Sequence, residues 1–228
     1  MPITALIWKE LRSSVLVPGC SAASYLFWWL CITGLGPTSL DLRNSSATCV
    51  LTAPEGILWY VVLTGGFTTA LGMSMTRSDS QGNLWQFALF RPLNRRTYLL
   101  TKMAVGCVLS GLVSAVPLVA YFAWAMQPGS LGAPWDWSFV VPAVSAWVWA
   151  PVTFLAALLS GLSEARWWWS KFWPMAAVFG AGFVLWFMPI IETGVFQHST
   201  SLIVSGWLVC AASLGTSILN VAEERDFS

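Results

Sequence analysis

Few residues of this chain could do covalent or acid–base chemistry, and their spacing selects no reaction. There is one histidine, His198, and a two-histidine zinc motif needs a second. The carboxylates Asp41, Glu55, Asp136 and Glu192 could pair as an acid and a base, but nothing in their separation favours that over solvated loop charges. No G-x-x-x-x-G-K-[ST] string is present, so the chain has no visible backbone cradle for nucleotide phosphates. The densest chemistry is the stretch FRPLNRRTYLLTK at 90–102, where Arg91, Arg95, Arg96 and Lys102 crowd together in a chain with only 11 Lys and Arg. Such a knot can contact a partner protein, or bind lipid phosphates and fix orientation at a membrane surface.

The elements that must carry this knot are apolar. The 228 residues are 57% hydrophobic and 9% charged, against about a quarter charged in a soluble domain. No Asp, Glu, Lys or Arg occurs in 13–40, 56–76, 103–135, 137–163, 172–191 or 193–222. A membrane-spanning helix needs ~20 mostly apolar residues, so each window holds one helix and none holds two. The expected architecture is an all-α integral membrane protein, one transmembrane domain over 1–228. Its spans fall at about 16–36, 56–76, 100–125, 138–162, 172–191 and 201–221. A transmembrane barrel would show short alternating segments instead.

Orientation follows from the cations. With six spans both termini share a side. If that side is the cytoplasm, it holds Lys9, Arg12, Arg77, Arg91, Arg95, Arg96, Lys102, Arg166, Lys171 and Arg225, leaving Arg43 alone outside. This is a strong positive-inside bias, so N-in and C-in is expected. The net charge of +1 points to no nucleic-acid partner. Of the 16 tryptophans, those near segment ends suit the headgroup region. With no Asp, Glu, Lys or Arg inside the windows, and the one histidine, His198, outside or at the interface, proton-coupled transport lacks its usual relay.

Residues 1–15 do not read as a span. Ile3, Leu6, Ile7, Leu11 and Val15 recur at helical spacing while Lys9, Glu10 and Arg12 interrupt the apolar run. An amphipathic interfacial helix is expected, with Trp8 as anchor and Lys9 and Arg12 towards the headgroups. Val17-Pro18-Gly19 would turn the chain into the first span. The loop 77–99 is the longest cytoplasmic segment. LWQFALF places Leu84, Phe87 and Ala88 on one helical face beside Trp85 and Leu89, and Arg91 precedes Pro92, which should stop this helix near Phe90. Asn94 is a candidate N-cap for the third span. Within spans, Thr64, Thr68 and Gly72, and again Gly106, Ser110 and Ser114, recur every fourth residue. Such stripes let helices approach closely in lipid. Ser213, Thr216, Ser217 and Asn220 form a further polar stripe.

A short amphipathic stretch, a proline, an arginine pair and then an apolar helix, as in FALFRPLNRRTYLLTK, resembles the second-to-third-span loop of type-2 ATP-binding-cassette exporter permeases. Pro92, Leu93, Arg95, Arg96, Leu99, Leu100 and Lys102 match the family pattern, and Asn94 replaces its usual small hydroxyl residue. The opening LIWKELRSS is similar to the family's amphipathic entry helix, and AEERDF to its closing string. The resemblance implies a permease subunit paired with a second copy or a similar subunit, and a separate ATPase that carries the ATP and Mg. This chain would bind no cofactor and catalyse nothing itself. Leu84, Trp85, Phe87 and Leu89, with Arg91 at the rim, would form the coupling helix that fills a groove in the ATPase. Arg95, Arg96 and Lys102 would form the basic cytoplasmic entry to the third span. By the same analogy Thr64, Phe67, Thr68, Phe179, Phe183 and Trp186 are candidate pathway-lining residues. The segment 192–200 is shorter than the family's usual outside region between spans five and six. A non-transport membrane protein, such as an immunity or assembly factor, and a membrane-embedded lipid enzyme are the alternative readings.

Overall fold

The computed structural model describes residues 3–32, 54–81, 95–127, 140–163, 171–182 and 200–224, and its regular structure there is entirely α-helical. In chain order the helices are α1 (Ile3–Ser14), α2 (Leu16–Ile32), α3 (Pro54–Gln81), α4 (Arg95–Ala125), α5 (Val140–Leu162), α6 (171–182) and α7 (Thr200–Glu224). Among the described residues, three stretches are long and apolar enough to cross a membrane, namely Leu58–Arg77, Arg96–Ala125 and Ala143–Leu162. Val204–Asn220 is a shorter apolar helix.

Prolines punctuate the helix starts. Pro18, Pro54 and Pro142 each fall within the first three residues of a helix, where the N–H they lack would have had no intrahelical acceptor. This shifts the first turn: the break falls at Val15, and Pro18 sits inside α2 rather than before it. Pro117 and Pro151 lie in the interiors of α4 and α5 and supply no N–H to the carbonyls of Val113 and Trp147. At their other ends the helices outrun the apolar windows. α3 continues past Arg77 to Gln81, and α4 begins at Arg95, because backbone pairing needs no apolar side chain.

Two core clusters give the direction of each helix. One gathers Tyr25, Trp28, Tyr60, Tyr121 and Ala143. The other gathers Met75, Leu99, Leu162 and Ile218, with Val17 packed against it. α2 therefore runs from the second cluster to the first, α3 returns, α4 runs out again and α5 returns. α7 closes its course at the second cluster, the end where α1 leads into α2. The start of the described chain and the close of α7 share one end of the bundle.

α5 is the central helix and packs against α3, α4 and α7. Small residues make this possible. A Cβ on Gly72 would lie 2.7 Å from the Ala157 Cβ and 3.0 Å from both the Leu158 nitrogen and the Phe154 oxygen. A Cβ on Gly106 would overlap the Phe154 ring, and one on Gly161 would overlap Thr76.

Many polar residues of α3, α4 and α5 lie inside, and many large aliphatic ones lie outside. Thr64, Thr68, Ser110, Ser114, Ser145, Thr153 and Ser160 are buried, while Leu100, Val108, Leu112, Val116 and Val119 of α4 face outward. In water this arrangement would expose a long apolar stripe at a cost in solvation. In lipid it costs nothing, and it places hydroxyls where they can bond between helices.

Candidate functional site

α3 ends at Gln81 and α4 begins at Arg95, so both helices present their tips to the segment 82–94. Leu84, Trp85, Phe87, Leu89 and Arg91 fall in that segment, outside the described residues, as do Phe183 and Trp186. What the structure shows is how the two helices are tied together about two turns in from those ends.

Lys102 makes the tie. It lies on α4 one turn before Gly106, and Leu99, Lys102, Gly106, Ser110 and Ser114 all fall on the buried face of the helix. Its side chain is 1% exposed, and its Nζ donates to the Met75 carbonyl of α3 at 2.5 Å. The Glu10 carboxylate of α1, equally buried, stands 3.9 Å from the same Nζ. Lys9 approaches the other carboxylate oxygen at 3.7 Å. The Lys9 and Lys102 ammonium groups each lie 5.7 Å from the centre of the Tyr98 ring, within reach of its negative face. Ser14 Oγ donates to the Glu10 carbonyl at 2.7 Å and closes the last turn of α1.

α1 is therefore a docked element. Its Glu10 and Ser14 face is buried against the bundle, while Trp8 is 71% exposed and Arg12 also faces out. Arg96 is exposed at the start of α4, whereas Lys102, grouped with it from the sequence, is interior. Sequence reasoning took Glu10 only as an interruption of the apolar run and missed its burial against Lys102. The signal was present: Ile3, Ile7, Glu10 and Ser14 share one helical face, and a carboxylate on a packed face requires a cation.

The small-residue stripes pack helix on helix. Tyr25 of α2 and Thr64 of α3 share a hydrogen bond of 2.8 Å, and Thr68 of α3 and Thr153 of α5 share one of 2.6 Å. Tyr60 donates to the Ser114 carbonyl at 2.9 Å and Trp147 Nε1 to the Gly111 carbonyl at 2.8 Å, joining α4 to α3 and α5. Thr64, Phe67 and Thr68 are thus enclosed within the single chain. Phe179 of α6 is 40% exposed and lies edge-on to Trp149 of α5, ring centres 5.1 Å apart. The stripe on α7 differs: Ser213, Thr216 and Ser217 are exposed and return their hydroxyls to carbonyls of their own helix. No cluster of three or more His, Cys, Asp or Glu able to hold a metal occurs among the described residues.

No family model matches the chain, and neither a curated protein nor a solved structure matches it.

Proposed function

We propose that the chain is the membrane-spanning permease subunit of an ATP-binding-cassette exporter. In this reading it crosses the cell (inner) membrane six times with both termini in the cytoplasm and works beside a second permease copy. A separate ATPase subunit carries the ATP and Mg and drives it. The loop motif FALFRPLNRRTYLLTK carries the family resemblance. The observation that supports a coupling role is the Lys102 tie, which joins α3 to α4 about two turns in from the ends that the loop connects. A segment suspended between two helices joined this way passes a push to both together, where a segment on independent helices would only bend its own ends. α3 and α4 hold 28 and 31 residues, about 42 and 46 Å at 1.5 Å per residue. An apolar layer of ~30 Å leaves room for their charged tips to project to a partner.

The test is a tagged pull-down from native membranes beside the double variant Trp85→Glu/Phe87→Glu, with mass spectrometry of what co-purifies. Recovery of an ATPase subunit with the native chain and its loss with the variant is the expected outcome. A variant that inserts normally, with no ATPase in either sample, overturns the reading in favour of an immunity or assembly role.

A further inference from the structure

Buried polar groups in helix bundles are normally paired, and most hydroxyls here are. Trp149 and Trp207 depart from that pattern. Their side chains are 5% and 2% exposed, yet neither indole Nε1 has a hydrogen-bond partner. The two rings pack together with centres 6.3 Å apart, at the seam where α5 and α7 meet α6. Gly182 of α6 closes the seam from the third side. A Cβ built there would stand 3.1 Å from Trp149 Nε1 and 3.1 Å from the far edge of the Trp207 ring. The indole Nε1 of Trp149 thus lies against Gly182, where a side chain would crowd it. One turn along α3 from Gly65, which itself abuts Trp149 and Phe179, Thr69 Oγ1 also lacks a partner.

The geometry points to a ligand site at this seam, one that takes a hydrogen-bond acceptor carried on an uncharged, largely apolar molecule: an ester or amide carbonyl on an acyl chain. Three features select that chemistry. An indole N–H can only donate, so the ligand must accept. No Asp, Glu, Lys or Arg occurs in 56–76, 137–163, 172–191 or 193–222, so a charged ligand would enter without a counter-charge. The remaining surroundings, Phe179, Val152, Ala156 and Val178, are apolar, which suits a chain or ring. Phe179, edge-on to Trp149 and partly exposed, is the side chain that moves aside to admit it.

Depth separates the two sources of such a carbonyl. Trp149 is nine residues into α5, roughly 14 Å along the helix, close to the middle of a ~30 Å apolar layer if α5 spans it. Bilayer lipids keep their ester groups near the boundary, so the depth favours a molecule taken into the seam as cargo. The site belongs to this chain alone and does not require an ATPase.

The experiment uses the full chain in nanodiscs of diether phosphatidylcholine, which offer no ester. The probes are a monoacylglycerol with a diazirine in its acyl chain and the matching glycerol monoether, a weaker acceptor. Photolabelling of peptides from α5, α6 and α7 should be about fivefold stronger with the ester, the factor one ordinary hydrogen bond supplies. That ratio should fall to about one in Trp149→Phe, which keeps a ring and removes the donor. Gly182→Ala, whose methyl would press on the Trp149 and Trp207 rings while keeping the donor, should lose labelling by both probes. Repeating the native-chain experiment in diester nanodiscs distinguishes the sources: a drop in labelling marks the bilayer ester as the occupant, and unchanged labelling marks a cargo molecule. Equal labelling by ester and ether on the native chain, or a ratio that survives in Trp149→Phe, overturns the site. Neither result bears on the pull-down, so the two proposals fail separately.

Discussion

Glu10 and Lys102, ninety-two positions apart in sequence, meet with 3.9 Å between carboxylate and ammonium, and both side chains are 1% exposed. The pair holds the amphipathic N-terminal helix to the junction of α3 and α4. The Lys102 ammonium also has the Met75 carbonyl, and the Glu10 carboxylate also has Lys9. The two ends of the pair are therefore not equivalent.

That asymmetry gives the first prediction. Glu10→Leu removes the carboxylate facing a fully buried ammonium and should cost about 3–5 kcal/mol. Lys102→Met should cost less, because Lys9 still faces Glu10. The double variant Glu10→Leu/Lys102→Met should recover much of the loss, since an apolar pair of similar volume avoids the desolvation of two ions. Thermal unfolding of the purified protein in detergent gives all three values, and additive losses would show that the contact contributes nothing.

Gly72 and Gly111 should respond oppositely to alanine. At Gly72 the new methyl meets α5 backbone, which cannot step aside, so Gly72→Ala should destabilise by ~1–3 kcal/mol. At Gly111 nothing lies within 4 Å, and Gly111→Ala should be neutral or stabilising by up to ~1 kcal/mol. The same melting assay checks both.

The Thr68–Thr153 hydrogen bond is buried between α3 and α5. A double-mutant cycle of Thr68→Val and Thr153→Val should return a coupling of about 0.6 kcal/mol and no more than ~1.7 kcal/mol, the range for such bonds within membranes. A coupling near zero would mean the threonines contribute shape alone.

Leu112 is 61% exposed near the middle of α4. On a soluble protein an exposed Leu→Arg change away from special features stays within ~0.5 kcal/mol. On a helix facing lipid the same change costs ~2.5–3.5 kcal/mol of insertion free energy. A glycosylation-reporter insertion assay of Leu112→Arg beside the native α4 segment decides between these, and unchanged insertion would argue against a lipid-facing α4.

The apolar character, the helical class and the approximate course of α3, α4 and α5 were legible in the sequence, because lipid permits few charges and a spanning helix needs a set length. The charge-free windows at 56–76, 103–135 and 137–163 contain most of α3, α4 and α5. The stripes Thr64–Thr68–Gly72 and Gly106–Ser110–Ser114 mark their packed faces, since small residues every fourth position can have only one side of a helix in common. Tertiary structure alone decided which stripe met which. Nothing in the spacing of Thr68 pairs it with Thr153 rather than with a hydroxyl on another helix. Lys102 is one turn beyond its stripe, yet its place among arginines made it read as a surface cation. Only the approach of Met75 and Glu10 makes it an interior one. A sequence records which face of each helix is available, but the identity of the facing partner depends on how all the helices share a limited volume.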